Sequence, residues 1–581
     1  MAHAESWSAR QNRWMHRLHA RLSTLARPAT AFVSQPEPRT IGSFARGKQL
    51  LAGNFLFAGT LAEAPGRSIW DLGVNDPAFE AELHGFAWLD DLAAVGDASA
   101  RLAAQDWLVA WIGRYGGGRG PGWTPDLTGR RLIRWINHAI LLLRGQEADV
   151  SRAFFRSLAQ QTNFLSRRWS SAQRGLPRFE ALTGTIYAGL ALEGMDSRVD
   201  PAVAALARDC AREIDAEGGV PTRNPEELLE VFTLLTWAAS ALSDAGRIAP
   251  PEHIAAIERI APTLRALRHA DGGLARFHGG GRGADGRLDA ELAASGVRAG
   301  PPLGLAMGFA RLSAGRTTVI LDAAPPPTGP ASFNAHASTL AFELTSGRRP
   351  VIVNCGAGAS FGTTWRQAGR ATPSHSALGL EGYSSARLGP SRRIGGQLME
   401  LLVDAPTRVP SERSRTHLAI KVEAGHNGYV ESHGLTHART LELGADGRSL
   451  RGEDVLVALD PPDRSRFDAA VDATGLQGLA YSARFHLHPD VEASLDLGGT
   501  AVSLALKSGE VWVFRHEGPV RLALEASVYL EKGRLKPRAA RQIVLMGRAI
   551  DYTTHIRWSF AKAQDTPVSV RDFARPARAP A

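Results

Sequence analysis

The spacing of apolar residues in this chain changes once, from about 3.6 to 2, and that change dictates a helical half followed by a β half. From about residue 54 to 311 the pattern is helical. Asp76 before Pro77 is a capping residue followed by a first-turn proline, and Phe79, Leu83, Phe86 and Leu89 supply the apolar face. Asp97 opens the next segment, with Leu102, Trp107, Leu108, Trp111 and Ile112 on a broad apolar face. Further periods run over 132–143, 154–164, 182–192, 203–214, 228–242 and 254–267. Asn224-Pro225-Glu226-Glu227 reads as an N-cap, a first-turn proline and a capping-box glutamate. With short loops and no strand signal, this half is predicted to be all-α, a superhelix or a toroid of helical hairpins.

The break falls near Ala314-Gly315, and the proline-rich stretch 323–331 propagates neither a helix nor a central strand. Beyond it Leu340, Phe342 and Leu344 alternate, and Ser346-Gly347 turns the chain into Val351-Ile352-Val353. Leu441 and Leu443 precede the turn Ala445-Asp446-Gly447. The same alternation returns at Leu495 and Leu497, at Val502, Leu504 and Leu506, and at Val511 and Val513. Many short strands joined by hairpin turns predict an antiparallel β-sandwich. The expected division is a basic N-terminal extension over 1–45, an all-α domain over 46–315, a sandwich over 316–562 and a disordered tail over 563–581.

At 581 residues the chain exceeds one ordinary core, and 44% hydrophobic with 22% charged residues is a globular composition. No apolar run approaches the roughly 20 residues of a membrane-spanning helix. The formal charge of +9 favours an anionic partner, although arginine-rich composition accompanies any high-GC genome. Nucleic acid is a rival resting on charge alone, with no binding motif. Cys210 and Cys355 cannot make a disulfide framework and read as buried free thiols. Near the start, Trp7, Trp14, Leu18, Leu22 and Leu25 recur at helical spacing between Arg10, Arg13, Arg17 and Arg21. Either the protein's own body or a membrane surface would take such a helix, and packing on the body is the expectation. No apolar signal core precedes a cleavage site there.

Several segments resemble the heparinase II/III-like polysaccharide lyases. Arg131-Leu132-Ile133-Arg134-Trp135 is similar to that family's Arg-x-x-x-Trp helix, and Asp271-Gly272-Gly273-Leu274 to the loop before its last toroid helix. Arg370-Ala371-Thr372-Pro373-Ser374-His375-Ser376 resembles a sandwich strand, as do Gly425-His426-Asn427-Gly428-Tyr429, His437-Ala438-Arg439 and Arg484-Phe485-His486-Leu487-His488. The resemblance spans roughly 50–550. It implies an (α/α) toroid followed by the sandwich, with a carbon–oxygen lyase that cleaves a uronate-containing acidic polysaccharide by β-elimination in the cleft between them. That chemistry needs a base for the C5 proton, cations or amides that neutralise the adjacent carboxylate, and an acid for the departing oxygen.

By resemblance the catalytic candidates are His375, His336, Asn334, Arg370, Arg223 and Tyr187. Arg366, Asn224, His426 and Tyr429 are expected to bind acidic polysaccharide or oligosaccharide. The family's metal positions fall at His336, Asn354 and His375, which implies a structural zinc. Arg366 and Arg370 flank His375, and arginine suits bidentate carboxylate capture. The sequence also departs from the family's pattern. The family's first sandwich histidine is Asn334 here, its toroid Asn–His pair falls within Phe179-Glu180-Ala181-Leu182, and its tyrosine falls at Arg223-Asn224-Pro225. Two readings stay open: a rebuilt lyase site, or a catalytically degenerate glycan-binding or cell-envelope protein on the same fold. The family implies an envelope or periplasmic location, and the missing leader leaves the cytoplasm open. The run His278-Gly279-Gly280-Gly281-Arg282-Gly283 lacks the context of a phosphate loop and is expected to be a flexible flap over the toroid mouth.

Overall fold

The computed structural model describes residues 7–34, 38–394 and 397–563. Its first half is a toroid of paired helices. Pro125–Asn137 packs on Leu176–Ala191, which packs on Pro225–Asp244, which packs in turn on Pro251–Leu267. The first of these contacts is backbone to backbone: a Cβ added to Gly184 would sit 2.4 Å from the Gly129 Cα. The expected caps are present, since the Asp76 carboxylate accepts from the Ala78 N–H, Asp97 from Ala100, and Asn224 from Glu226 and Glu227. The tryptophans Trp88, Trp107, Trp111, Trp135 and Trp237 are all buried. Arg131, wholly buried, donates to Gln161, His84 O and Gly122 O and lies 4.2 Å over the Trp111 ring. The Arg-x-x-x-Trp motif is therefore a core brace.

Two boundaries differ from expectation. Asn54–Phe57 and Thr60–Glu63 form a hairpin inside the helical half. Its Ala58-Gly59 turn has both residues in the left-handed region, the geometry of the tightest hairpins, and an alanine there gives no sequence signal. The sandwich starts before residue 315, with Phe309–Ala314 as an edge strand. The tail expected over 563–581 lies, apart from Ala563, outside the described residues.

The sandwich consists of two antiparallel sheets. In one, strands run in the spatial order Ser411–Arg415, Ala419–Tyr429, Leu435–Gly444, Ser449–Val457, Thr553–Lys562, Val511–Glu517, Ala501–Ala505, Glu492–Asp496. In the other the order is Arg521–Tyr529, Arg538–Ala549, Leu479–Leu487, Arg349–Val353, Phe342–Ser346, Thr317–Asp322, Phe309–Ala314. Between them lies an aromatic core in which Phe342 stacks on Trp558 and Phe485 meets Trp558, Phe514 and Phe560.

The N-terminal helix Trp7–Ser23 packs on the toroid helix Ala148–Arg168. Ala9, Ala20 and Ser23 are buried, the Gln160 amide donates to Ala20 O, and His16 meets the Phe164 ring. At 100° per residue, Trp7, Trp14 and Leu18 fall on the opposite side. Trp7 is 77% and Trp14 60% exposed. Packing on the body holds for one face, while the aromatic face points to solvent.

A polar group is buried inside the sandwich. The wholly buried Arg439 forks onto Asp454 at 2.7 and 3.0 Å and donates to Leu340 O and Ser376 O. Asp454 also accepts from His437 Nε2 and Trp558 Nε1. Removing one partner strands a buried charge, so Asp454→Ala is expected to cost about 3–5 kcal/mol, read as a lower urea midpoint. An unchanged midpoint contradicts this role.

Candidate functional site

The seam between toroid and sandwich brings together His278, Asp322, His336, His375 and Arg223. Asp322 ends the strand Thr317–Asp322, His336 follows the turn Gly329–Asn334, and His375 follows Thr372–Ser374. Arg223 and His278 come from the toroid, each at the mouth of a loop. All five side chains are at most 9% exposed.

Their hydrogen bonds form one chain, and the donor assignments follow from the network. The Nδ1–H of His375 donates to Ala371 O at 2.9 Å, so its Nε2 accepts from His336 Nδ1 at 3.0 Å. The His336 backbone N–H donates to His278 Nδ1, which turns His278 Nε2 toward Asp322 Oδ2 at 3.5 Å. At that length no hydrogen bond is made. Asp322 accepts from Ser338 Oγ and from Arg223 Nη2 at 2.6 Å. The remaining four N–H bonds of Arg223 go to Met307 O, Gly308 O, Ala324 O and Pro325 O, so all five of its donors are used within the protein. Arg223, His278 and Met307 all have φ near +50°, at 49°, 46° and 51°. Non-glycine residues rarely adopt that conformation, which persists where surrounding contacts over-determine it.

Electrostatics keep the imidazoles neutral. Burial lowers His375 to about 4 and, reinforced by His375 and His278, takes His336 well below the usual imidazole range. Burial also lowers His278, against the pull of Asp322. For Asp322 burial would raise the carboxyl, yet Arg223, His278 and Ser338 outweigh it and hold it at about 2.

Most of the expected catalytic and binding side chains make hydrogen bonds within the protein. Arg370 lies beside the cluster, but its guanidinium donates to Ala335 O, Glu400 O and Ser332 O, which leaves it turned into the backbone and away from any ligand. Tyr187 is buried in the toroid core with its hydroxyl 3.5 Å from Trp237 O, because its helix is buried on all sides from Phe179 to Ala191. Asn224 spends its carbonyl oxygen on its own helix cap. Arg366 faces Phe333 O, the Phe333 ring and Glu400. Asn334 is exposed at the rim, where the base of a lyase would be wanted in the cleft. Tyr429 donates to Leu378 O inside the sandwich, and His426 joins His437 and the Asp454 group. His426 and His437 are direct cross-strand partners in a hairpin. At the position of the family's Asn–His pair, Glu180 is bound by the Arg130 fork at 2.8 and 2.9 Å.

His336 Nδ1 and His375 Nε2 face each other as two zinc nitrogens would, but the third expected ligand does not join them. Asn354 accepts from the Ser376 N–H and donates to Glu343. Among the described residues no group of three or more His, Cys, Asp or Glu is placed to hold a metal. The donor set falls short of the three or four ligands zinc takes.

Sequence reasoning missed His278, Asp322, His269 and Glu343. The glycine run at 278–283 is a pinned crossing, not a flap: His278 is buried, and the Gly281 N–H donates to Glu226, which also pairs with Lys532 of the sandwich. His269 bonds Glu343 at 3.1 Å, a second tie across the seam.

A helical toroid followed by a two-sheet sandwich is the fold that this chain shares with heparinase III. The chain belongs to the heparinase II/III-like family. Residues 297–559 match the Heparinase II/III-like, C-terminal domain. It is 31% identical over 559 residues to FtsZ-localized protein C of Caulobacter vibrioides, covering 93% of this chain and 92% of that one. Its fold is similar to heparinase III (TM-score 0.67, 12% identity, 96% and 90% of the two chains) and to the heparan sulfate lyase HepC of Pedobacter heparinus (0.55, 14%, 96% and 89%).

Acid should loosen this seam. Each imidazole is neutral when folded but takes a proton when unfolded once pH drops below 6.5, so folding stability present at pH 7 is lost as pH falls toward the folded value. For His375 the loss between pH 7 and 5 is about 2 kcal/mol. Asp322 adds a further loss only below its unfolded value near 4. Urea unfolding should show a midpoint that falls from pH 7 to 5; a flat profile contradicts buried neutral histidines.

Proposed function

We propose that this chain is a catalytically silent member of its family, acting at the cytoplasmic side of the cell envelope together with FtsZ. The observation that carries this reading is the occupancy of Arg223. Where a lyase needs a free cation to neutralise a uronate, every donor of this arginine is bound by Asp322 and four carbonyls. Arg370 commits three of its five N–H groups to carbonyls, and His375 has both ring nitrogens engaged. The relative named for localisation to FtsZ, alike along almost its whole length, supports the location and the partner.

The N-terminal helix supports attachment to the envelope. It carries no acidic residue, its buried face rests on the toroid, and Trp7 and Trp14 project outward between arginines. An anionic lipid surface matches both the charge and the amphipathic rings. Among the described residues no helix is long and apolar enough to cross a membrane.

The second reading, β-eliminative cleavage of an acidic polysaccharide, is favoured by the shared fold and by His336 Nε2, which makes no hydrogen bond within the protein. The two readings separate on incubation with heparan sulfate, chondroitin sulfate and alginate. We expect no rise in the ultraviolet absorbance of an unsaturated uronate; a steady rise abolished by His336→Ala overturns silence. Phosphatidylglycerol vesicles should sediment the protein, and Trp7→Ser with Trp14→Ser should lower the bound fraction at least about fivefold. Equal binding by the variant, or to neutral vesicles, overturns attachment through this helix.

A further inference from the structure

A groove of 490 Å³ opens on the outer face of the sandwich, over the strands Arg521–Tyr529, Arg538–Ala549 and Leu479–Leu487 and beside the short strand Leu378–Leu380. It contains none of the five seam residues. Register places its polar groups. Ser482 is the cross-strand partner of Met546, itself the partner of Arg521, so the three lie in one row across three strands. Arg548 is two residues beyond Met546 on the same face and a diagonal neighbour of Arg521, at about 7–8 Å between Cα atoms. Arg484 is two residues beyond Ser482 on that face, and Glu381 stands exposed at the rim.

The cations differ in what they already hold. Arg484 is half-buried and pairs with Glu525 at 3.5 Å. Arg521 and Arg548 are exposed, and among the described residues neither pairs with a carboxylate. Arg521 donates to the Met546 sulfur, a weak acceptor, and Arg548 donates to the carbonyls of Gln477 and Gly478. Such acceptors orient a guanidinium without cancelling its charge.

The rest of the lining narrows the ligand class. Two guanidiniums lining one groove from adjacent strands suit a tetrahedral oxyanion, whose three free oxygens serve both, whereas one fork already saturates a carboxylate. Glu381 and Ser482 supply an acceptor and a hydroxyl for hydroxyl groups of the ligand. Tyr481 also lines the groove, but it is 4% exposed and belongs to the sandwich core, so it offers no face to a base. The volume lies in the range of small-molecule sites and exceeds what a lone phosphate fills.

We propose that this groove binds a soluble phosphate ester of a polyol, its phosphate on Arg521 and Arg548 and its hydroxyls on Ser482 and Glu381. The site lies apart from the seam, so the inference holds whether or not the histidine cluster is silent.

Isothermal titration calorimetry with glucose 6-phosphate, glucose and inorganic phosphate tests it. We expect glucose 6-phosphate to bind more tightly than inorganic phosphate and glucose not to bind. Arg521→Ala with Arg548→Ala should raise the Kd of glucose 6-phosphate at least about tenfold at unchanged melting temperature. No binding of glucose 6-phosphate overturns the proposal, as does binding no tighter than that of inorganic phosphate or an unaltered Kd in the double variant. So does glucuronate binding as tightly as glucose 6-phosphate, which assigns the groove to a carboxylate. A lipid headgroup carries the same chemistry: a fall of about fivefold or more in sedimentation of the double variant with phosphatidylglycerol vesicles assigns the site to lipid and overturns a soluble ligand. If the double variant melts early, Arg521→Ala alone, which gives up only the sulfur contact, replaces it. A rise in Kd of at least about threefold is then expected, and an unaltered Kd again overturns the proposal.

Discussion

The buried pair of Arg223 from the helical half and Asp322 from the sheet half, 2.6 Å apart, anchors the toroid on the sandwich, with His269 and Glu343 as a second buried tie. Around it the seam is drawn tight by carbonyls at 307, 308, 324 and 325 and by the line of imidazoles from His278 to His375. A buried ion pair is costly to desolvate and holds only with good geometry and further hydrogen bonds. Here the required groups come from both domains, so the pair forms only when the halves are docked one way. The left-handed backbone at Arg223, His278 and Met307 is the accompanying strain.

In this arrangement the polar groups of the seam face one another on a fold shared with heparinase III. Active-site cations and bases must meet a ligand with unspent hydrogen-bonding capacity. At this seam that capacity is turned inward, onto carbonyls and neighbouring rings. Burial keeps the clustered histidines uncharged, and the Asn354 amide is committed to Ser376 and Glu343.

The two-domain order was legible because hydrophobic period is a local property of sequence, and the caps at Asp76, Asp97 and Asn224 are local chemistry. The hairpin at Asn54–Phe57 escaped because it is short and turns on an alanine. The meeting of His336 with His375 was reached through motif resemblance, and the structure places them 3.0 Å apart. What could not be read was which partner each polar group would choose. Nothing local in Arg223-Asn224 says that the arginine reaches Asp322, 99 residues away, while the asparagine caps its own helix. His278 was hidden by the glycines after it, which read as mobility when the backbone is pinned at both sides of the seam.

Parallel measurement of unfolding and of heparan oligosaccharide binding for Asp322→Ala tests most directly whether this seam is architecture and not a reaction centre. The account predicts a stability loss of about 3–5 kcal/mol, faster hydrogen exchange around His278 and His336, and no change in oligosaccharide affinity. A variant as stable as the parent chain whose oligosaccharide affinity changes would contradict it.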